Sequence, residues 1–328
     1  MNPSEVTTQN SIQPPIQGHS MIGESVLFDS RLVIRKKMAG SGGCGQVYLA
    51  LYSNQLAVAK IPIMEKHEDL VYQESNIMNA LVSPWTVQVL HYISNSPMPI
   101  GGLDYTPRSA LIVEYMNLGP LSTYLDKSGN ESEEKITLVL SQTLSIATMA
   151  ARGIEFMHSR GFNHLDIKPE NILLHQQADN TVIAKLSDFG STRPEGSYDA
   201  IFQTPGFIPP EGIVQHNQLI LPQKTSKYDI YAFGGCLINM IFLANYAAMW
   251  SGTKKTIEQK KSFLSSSIGN SDLLQLIVDC LQDSPSLRPA ANNIIFPSKA
   301  ITRLVVHYSD PILLLFLGTK DLQRWLQL

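Results

Sequence analysis

The feature that most constrains this chain is a run of glycines set between two strand-like segments: Gly40-Ser41-Gly42-Gly43-Cys44-Gly45. Glycines at this spacing let backbone N–H groups approach phosphate oxygens without side-chain obstruction. A dinucleotide-binding fingerprint needs a helix straight after the last glycine and an acidic residue about 20 positions further on. Here the residues that follow, Gln46–Tyr52, read as a strand. A doubly wound dinucleotide fold is therefore disfavoured. Taken alone, the segment reads equally well as a phosphate cradle and as a plain Gly-rich hairpin.

The surrounding pattern sets the fold class. Strand-like runs fill Leu32–Ile63, helical periodicity covers Lys66–Leu81, and two more strands are expected at Thr86–Ser94 and Ser109–Met116. The Pro- and Gly-rich stretch Asn95–Arg108 between them reads as a loop. Beyond Gly119 helices dominate. Glu133–Arg160 carries Ile136, Leu140, Leu144, Ala147, Ala151, Ile154 and His158 at steps of three and four, with acidic residues in its first turn. A sheet-rich first third and a helix-rich remainder predict an α+β chain with two lobes. A length of 328 residues also suggests two bodies at about 150 residues each.

Composition removes several function classes. The net charge of −3 argues against a general nucleic-acid binder. Cys44, Cys236 and Cys280 are scattered, with no CxxC pair to suggest a zinc site or a disulfide framework. The 24 uncharged residues between Asp229 and Lys254 are long enough to span a bilayer. They include Gly234, Gly235, Asn239 and Asn245 and have no basic flank at their start, so a buried core helix is the expected reading. The opening residues match no secretory, transit or myristoylation pattern, so the expected location is cytoplasmic, with delivery into another cell left open. Residues 1–25, rich in Ser, Thr, Gln, Asn and Pro, read as a flexible tail.

Three further blocks carry chemistry. Lys60 ends the apolar run Ala57-Val58-Ala59 and, if buried, requires an anionic partner; Glu74 on the next helix is the candidate. His164-Leu165-Asp166-Ile167-Lys168-Pro169-Glu170-Asn171 precedes the apolar Ile172-Leu173-Leu174. Pro169 excludes a helix interior there, so a rigid loop is expected to gather an acceptor, a cation and an amide within six residues. Asp188, in Asp188-Phe189-Gly190, follows a strand-like run and offers a hard oxygen ligand for Mg²⁺.

In this order the blocks resemble the eukaryotic-type protein kinase family, from about Leu32 to about Ile295. Ile112-Val113-Glu114-Tyr115-Met116 resembles its hinge, with Val113 as gatekeeper, and Gly119-Pro120-Leu121 resembles the helix start beyond it. Thr204–Glu211 resembles the end of the activation segment. Asp229 with Phe233-Gly234 resembles the start of the central buried helix, and Arg288 resembles the arginine that pairs with the Glu211 position.

The resemblance implies a bilobal fold with a small antiparallel-sheet N-lobe bearing one main helix and a large helical C-lobe. It implies a kinase domain over 26–297, divided near 116, and a segment 298–328 docked on the C-lobe. It implies that Gly40, Gly42, Gly45, Val47, Val58, Lys60, Glu114, Met116 and Leu173 bind ATP, and that Asn171 and Asp188 bind Mg²⁺. Lys60 would pair with Glu74, Asp166 would orient the substrate hydroxyl, and Lys168 would neutralise the transferring phosphoryl group. The Lys168–Asn171 sequence and Thr204 fit the serine/threonine class, so the implied substrates are protein Ser/Thr hydroxyls, including the chain's own. The alternative is a catalytically weak nucleotide-binding scaffold.

Two residues depart from the pattern. Leu165 stands where many members have an arginine that binds a phosphorylated activation loop, which leucine cannot do. Val58 stands where an alanine usually lies above the adenine ring, and its added methyls are expected to crowd that pocket.

Overall fold

The computed structural model describes residues 26–29, 31–42, 45–97, 106–125, 133–199, 204–213, 223–242 and 271–294. The expected tail 1–25, Cys44, the segment 298–328 and the second half of the uncharged run lie outside these residues.

Alternating small and branched residues build the first sheet. Strands β1 (Val26–Asp29), β2 (Leu32–Gly42), β3 (Gly45–Tyr52), β4 (Gln55–Pro62), β5 (Val89–Ile93) and β6 (Ala110–Glu114) form an antiparallel sheet in the order β1-β2-β3-β4-β6-β5. Ser53 and Asn54 turn β3 into β4, both with left-handed φ (49° and 65°), as a two-residue hairpin requires. Ala50 lies opposite Ala57, and both are fully buried. With Leu32, Ile34, Tyr48, Ala59, Ile61 and Ile112 they form the core of this lobe. Helix α1 (Glu68–Ala80) packs beside the sheet, and its Val71, Glu74, Ser75 and Met78 face inward at steps of three and four.

The second lobe is built on α2 (Ser122–Leu125), α3 (Glu133–Ser159), α4 (Ser226–Phe242) and α5 (Ser271–Cys280). Along α4, Tyr228, Ile230, Tyr231, Ala232, Phe233, Cys236, Leu237, Ile238 and Met240 are all buried, so the described half of the uncharged run is core. Gly234 lets α5 approach: a Cβ there would lie 2.9 Å from the Cβ of Cys280. No helix among the described residues is long and apolar enough to cross a membrane.

Two small sheets belong to the second lobe, and Leu186 at the end of one of them exchanges backbone hydrogen bonds with Trp85 and Val87 of the first. β7 (Gly119–Pro120), β9 (Ile172–Gln176) and β10 (Val182–Leu186) form a sheet in the order β10-β9-β7, while β8 (Phe162–Asn163) pairs with β11 (Arg193–Pro194). The expected helix start at Gly119 is therefore corrected to Ser122. Gly119 has φ +73°, and the N–H groups of Leu118 and Leu121 bond to Leu174 and Ile172 of β9 instead of starting a helix.

Candidate active site

Lys60 leaves β4 at a place where both neighbouring strands are paired, opposite Val47 of β3 and Leu111 of β6. Its Nζ donates to both carboxylate oxygens of Glu74, at 2.9 and 2.7 Å, and to Oδ1 of Asp188 at 2.8 Å. Burial on its own would lower the lysine pKa, but the two carboxylates outweigh it and the pKa is raised. Burial pushes Glu74 up, while the Lys60 ammonium holds Asp188 below the usual carboxylate range. Gly45 earns a second reason to be glycine here. A Cβ on it would lie 2.8 Å from Cγ of Lys60. The bare backbone at Gly45 therefore leaves room for the lysine stem.

The loop carrying Asp166 is held from below by Asp229, which is 1% exposed at the first turn of α4. Its carboxylate accepts the backbone N–H groups of His164 (2.8 Å) and Leu165 (2.7 Å) and contacts His158 Nε2 at 2.8 Å. Leu165 has φ +67°, a left-handed conformation unfavourable for leucine, and its side chain is buried. His164 takes the Asp166 N–H on Nδ1 (3.3 Å) and faces the Ser187 carbonyl with Nε2 (3.0 Å), which defines the Nε2–H tautomer. Its ring packs on Phe189, with centroids 5.3 Å apart.

Asp166 is the hub. Oδ1 accepts the Thr204 hydroxyl at 2.8 Å. Oδ2 accepts Asn171 Nδ2 at 3.0 Å and lies 2.8 Å from Lys168 Nζ. Lys168 also donates to the Thr204 hydroxyl at 2.7 Å. Pro169 occupies the first position of a 3-10 turn, Pro169–Asn171, where its missing N–H costs nothing. Asn171 Nδ2 is also bonded to the Asp166 carbonyl at 2.8 Å, so the amide oxygen is the end left for a cation. Asp188 has φ +60° and follows β10. Its side chain is 35% exposed.

The residues expected at the nucleotide are divided between the first sheet and the β10-β9-β7 sheet, apart from Met116. Val58 lies opposite Leu49 and Val113, and Leu173 lies opposite Pro120 and Lys185. Gly42 pairs with Gly45 at the end of the β2–β3 hairpin, and Gly40 belongs to β2. Met116 is buried. The Glu114 carboxylate takes Lys185 Nζ at 2.7 and 2.9 Å and the Gln88 N–H at 2.8 Å, so any base it receives must meet its backbone. The Glu211–Arg288 pairing is present and bidentate, at 2.6 and 2.8 Å, with Arg288 fully buried.

Sequence reasoning missed the Asp229 clasp under the loop, the Lys185–Glu114 pair and the Lys60–Asp188 contact. Lys185 sits among strand residues and carried no local signal. Asp229 could have been found from its place just before a long uncharged run, where a buried carboxylate must find donors.

The donor set fits Mg²⁺ and a phosphate chain. Asn171 and Asp188 supply two hard oxygen ligands, and among the described residues no cluster of three His, Cys, Asp or Glu could hold a metal without help. A two-ligand site of this kind is completed by substrate phosphates and water.

A family model for the protein kinase domain matches residues 33–296. The chain is 28% identical over 285 residues to the Arabidopsis thaliana protein named a probable LRR receptor-like serine/threonine-protein kinase, covering 79% of this chain and 30% of that one. It is 26% identical over 295 residues to the probable serine/threonine-protein kinase drkB of Dictyostelium discoideum, covering 83% and 37%. It is 29% identical over 211 residues to chitin elicitor receptor kinase 1 of Physcomitrium patens, covering 62% and 29%. The chain thus spans roughly a third of the length of each of these relatives.

Proposed function

This chain belongs to the protein kinase family, and on that premise we propose that it transfers the γ-phosphoryl group of ATP to Ser and Thr hydroxyls of proteins, itself included. The kinase domain in this reading is residues 26–297. The observation that carries it is the closed cluster of Asp166, Lys168, Asn171 and Thr204, every member within 3.0 Å of Asp166 or Lys168.

Gly40, Gly42 and Gly45 cover the phosphates, and Val47, Val58, Leu173 and the backbone of Glu114 and Met116 enclose the base. Lys60, held by Glu74, takes the α- and β-phosphates. Asn171 and Asp188 would hold Mg²⁺, which when bound would supply positive charge to offset that of the phosphates. Asp166 orients the incoming hydroxyl, which takes the place of the Thr204 hydroxyl on Oδ1. Lys168 stands beside the same carboxylate and offsets negative charge as the transfer proceeds. These groups are positioned before substrate arrives, so little reorganisation is needed at the moment of reaction. The Lys168–Asn171 sequence, the Thr204 contact with both Asp166 and Lys168, and relatives named as serine/threonine kinases support the Ser/Thr class.

The test is phosphate transfer from labelled ATP–Mg²⁺ to a generic protein substrate, with Asp166→Asn run alongside. Transfer by the natural protein and about 100-fold less by the variant is expected. Equal labelling by both defeats the reading, and ATP binding with no transfer by either turns it into the scaffold alternative.

A further inference from the structure

A single ion pair leaves a helix one freedom it cannot remove. Lys60 fixes how far Glu74 lies from β4, but α1 can still roll about its axis and carry Glu74 out of reach. The pair is also costly to keep, because Glu74 is driven up in pKa chiefly by burial. The buried Val71 and Met78 resist that roll from the inner face, and a bond on another face of α1 would resist it further.

Glu68, the first residue of α1, lies six positions before Glu74, which places the two carboxylates about 120° apart around the helix. Its Oε1 accepts the Arg108 N–H at 2.7 Å, and its Oε2 accepts the Ser109 hydroxyl. Ser109 is buried and immediately precedes β6, the strand that leads to Glu114. One turn along α1, Tyr72 meets Tyr92 of β5 with ring centroids 5.5 Å apart. Burial raises the Tyr92 pKa, with Ser109 working against it, and the Tyr72–Tyr92 contact stands as a second link between this face of α1 and the sheet. Helix formation asks for none of these long-range bonds. A carboxylate in the first turn already interacts favourably with the helix dipole.

We propose that Glu68 is a positioning residue that fixes the rotation of α1 through Arg108 and Ser109, and so keeps Glu74 on Lys60. The inference rests on the kinase reading only in treating the Lys60–Glu74 contact as part of the nucleotide site.

The full chain carrying Glu68→Ala, Glu68→Gln or Ser109→Ala tests it, each made also in a Glu74→Gln background, with Mg–ATP affinity and kcat measured. Glutamine keeps an acceptor for the Arg108 N–H and turns an amide donor toward the Ser109 oxygen. Glu68→Ala is expected to lower kcat about tenfold and weaken Mg–ATP binding, with KM for protein substrate unchanged. Glu68→Gln is expected to restore most of the loss, and Ser109→Ala, which leaves the Arg108 bond, to fall between. In the Glu74→Gln background Glu68→Ala should add nothing, because the contact it protects is gone. Natural affinity and rate in Glu68→Ala, or the same fold loss with and without Glu74, overturns the proposal. If Glu68→Ala does not fold, Ser109→Ala carries the same comparison. Should the natural protein transfer no phosphate, the kinase reading fails separately, and the Glu74-dependent change in Mg–ATP affinity still decides the role of Glu68.

Discussion

Replacing Asp229 with alanine should be among the most damaging single changes in the chain. The carboxylate is 1% exposed and accepts two backbone N–H groups, at 2.8 and 2.7 Å, besides its contact with His158. His164 is fully buried and Leu165 nearly so, so water cannot replace the lost acceptor without opening the core. Orphaning a buried donor costs about 1–3 kcal/mol, so two of them cost about 2–6 kcal/mol. That is a large part of the roughly 5–15 kcal/mol that stabilises a domain. A second consequence concerns catalysis. Leu165 stays left-handed at φ +67° because Asp229 holds its N–H, and Asp166 is the next residue. Releasing Leu165 moves the hub of the site, and misplacement of about 1 Å lowers a rate about 100-fold. Asn at 229 keeps one acceptor and should lose about half as much stability. Urea unfolding at neutral pH, followed by tryptophan fluorescence, measures the first effect, and kcat under saturating ATP–Mg²⁺ measures the second. An alanine variant within about 0.5 kcal/mol of the natural protein, with kcat intact, would refute the claim that Asp229 holds the loop.

Three other perturbations have defined outcomes. Glu211→Ala removes the bidentate partner of fully buried Arg288, which keeps the carbonyls of Gln282, Lys227 and Asp283 and the ring of Tyr231; a loss of about 3 kcal/mol is expected in the same unfolding assay. Val58→Ala, opening space where Val58 faces Val113 across the sheet, should tighten ATP binding a few-fold by calorimetry; weaker binding would show that the two methyls support the base instead of crowding it. For Asp188, whose folded pKa is lowered chiefly by Lys60, the stabilising share is present above about pH 4 and is lost as pH falls through the lower folded value. The stability gap between the natural protein and Asp188→Asn should therefore hold down to about pH 4 and close below it. Glu74, raised by burial, works with the opposite sign: its share grows on acidification and is lost as pH rises through its raised value. A gap that widened in acid would place the dominant titration on Glu74.

Much of this was legible in residue order because the relevant physics is local. Strand alternation, the helical step in Glu133–Ser159 and the Gly-rich hairpin each follow from side chains a few positions apart. The contiguous loop Asp166–Asn171 brings its own acceptor, cation and amide together, so its cluster could be anticipated. The helix start expected at Gly119 rested on resemblance to the segment beyond the hinge, and the helix begins three residues later. The N–H groups of Leu118 and Leu121 were instead claimed by β9, more than 50 residues away.

By itself the sequence determined the two-lobed α+β plan and the identity of the charged groups at the site. How those charges are satisfied depends on the fold. Lys60 meets Asp188 as well as Glu74, Asp229 clasps a loop 64 residues earlier, and Glu68 reaches Arg108 and Ser109. Burying an ion or a backbone N–H is costly wherever it occurs, but which distant group answers it depends on how the chain folds back, and no periodicity along the chain encodes that partner.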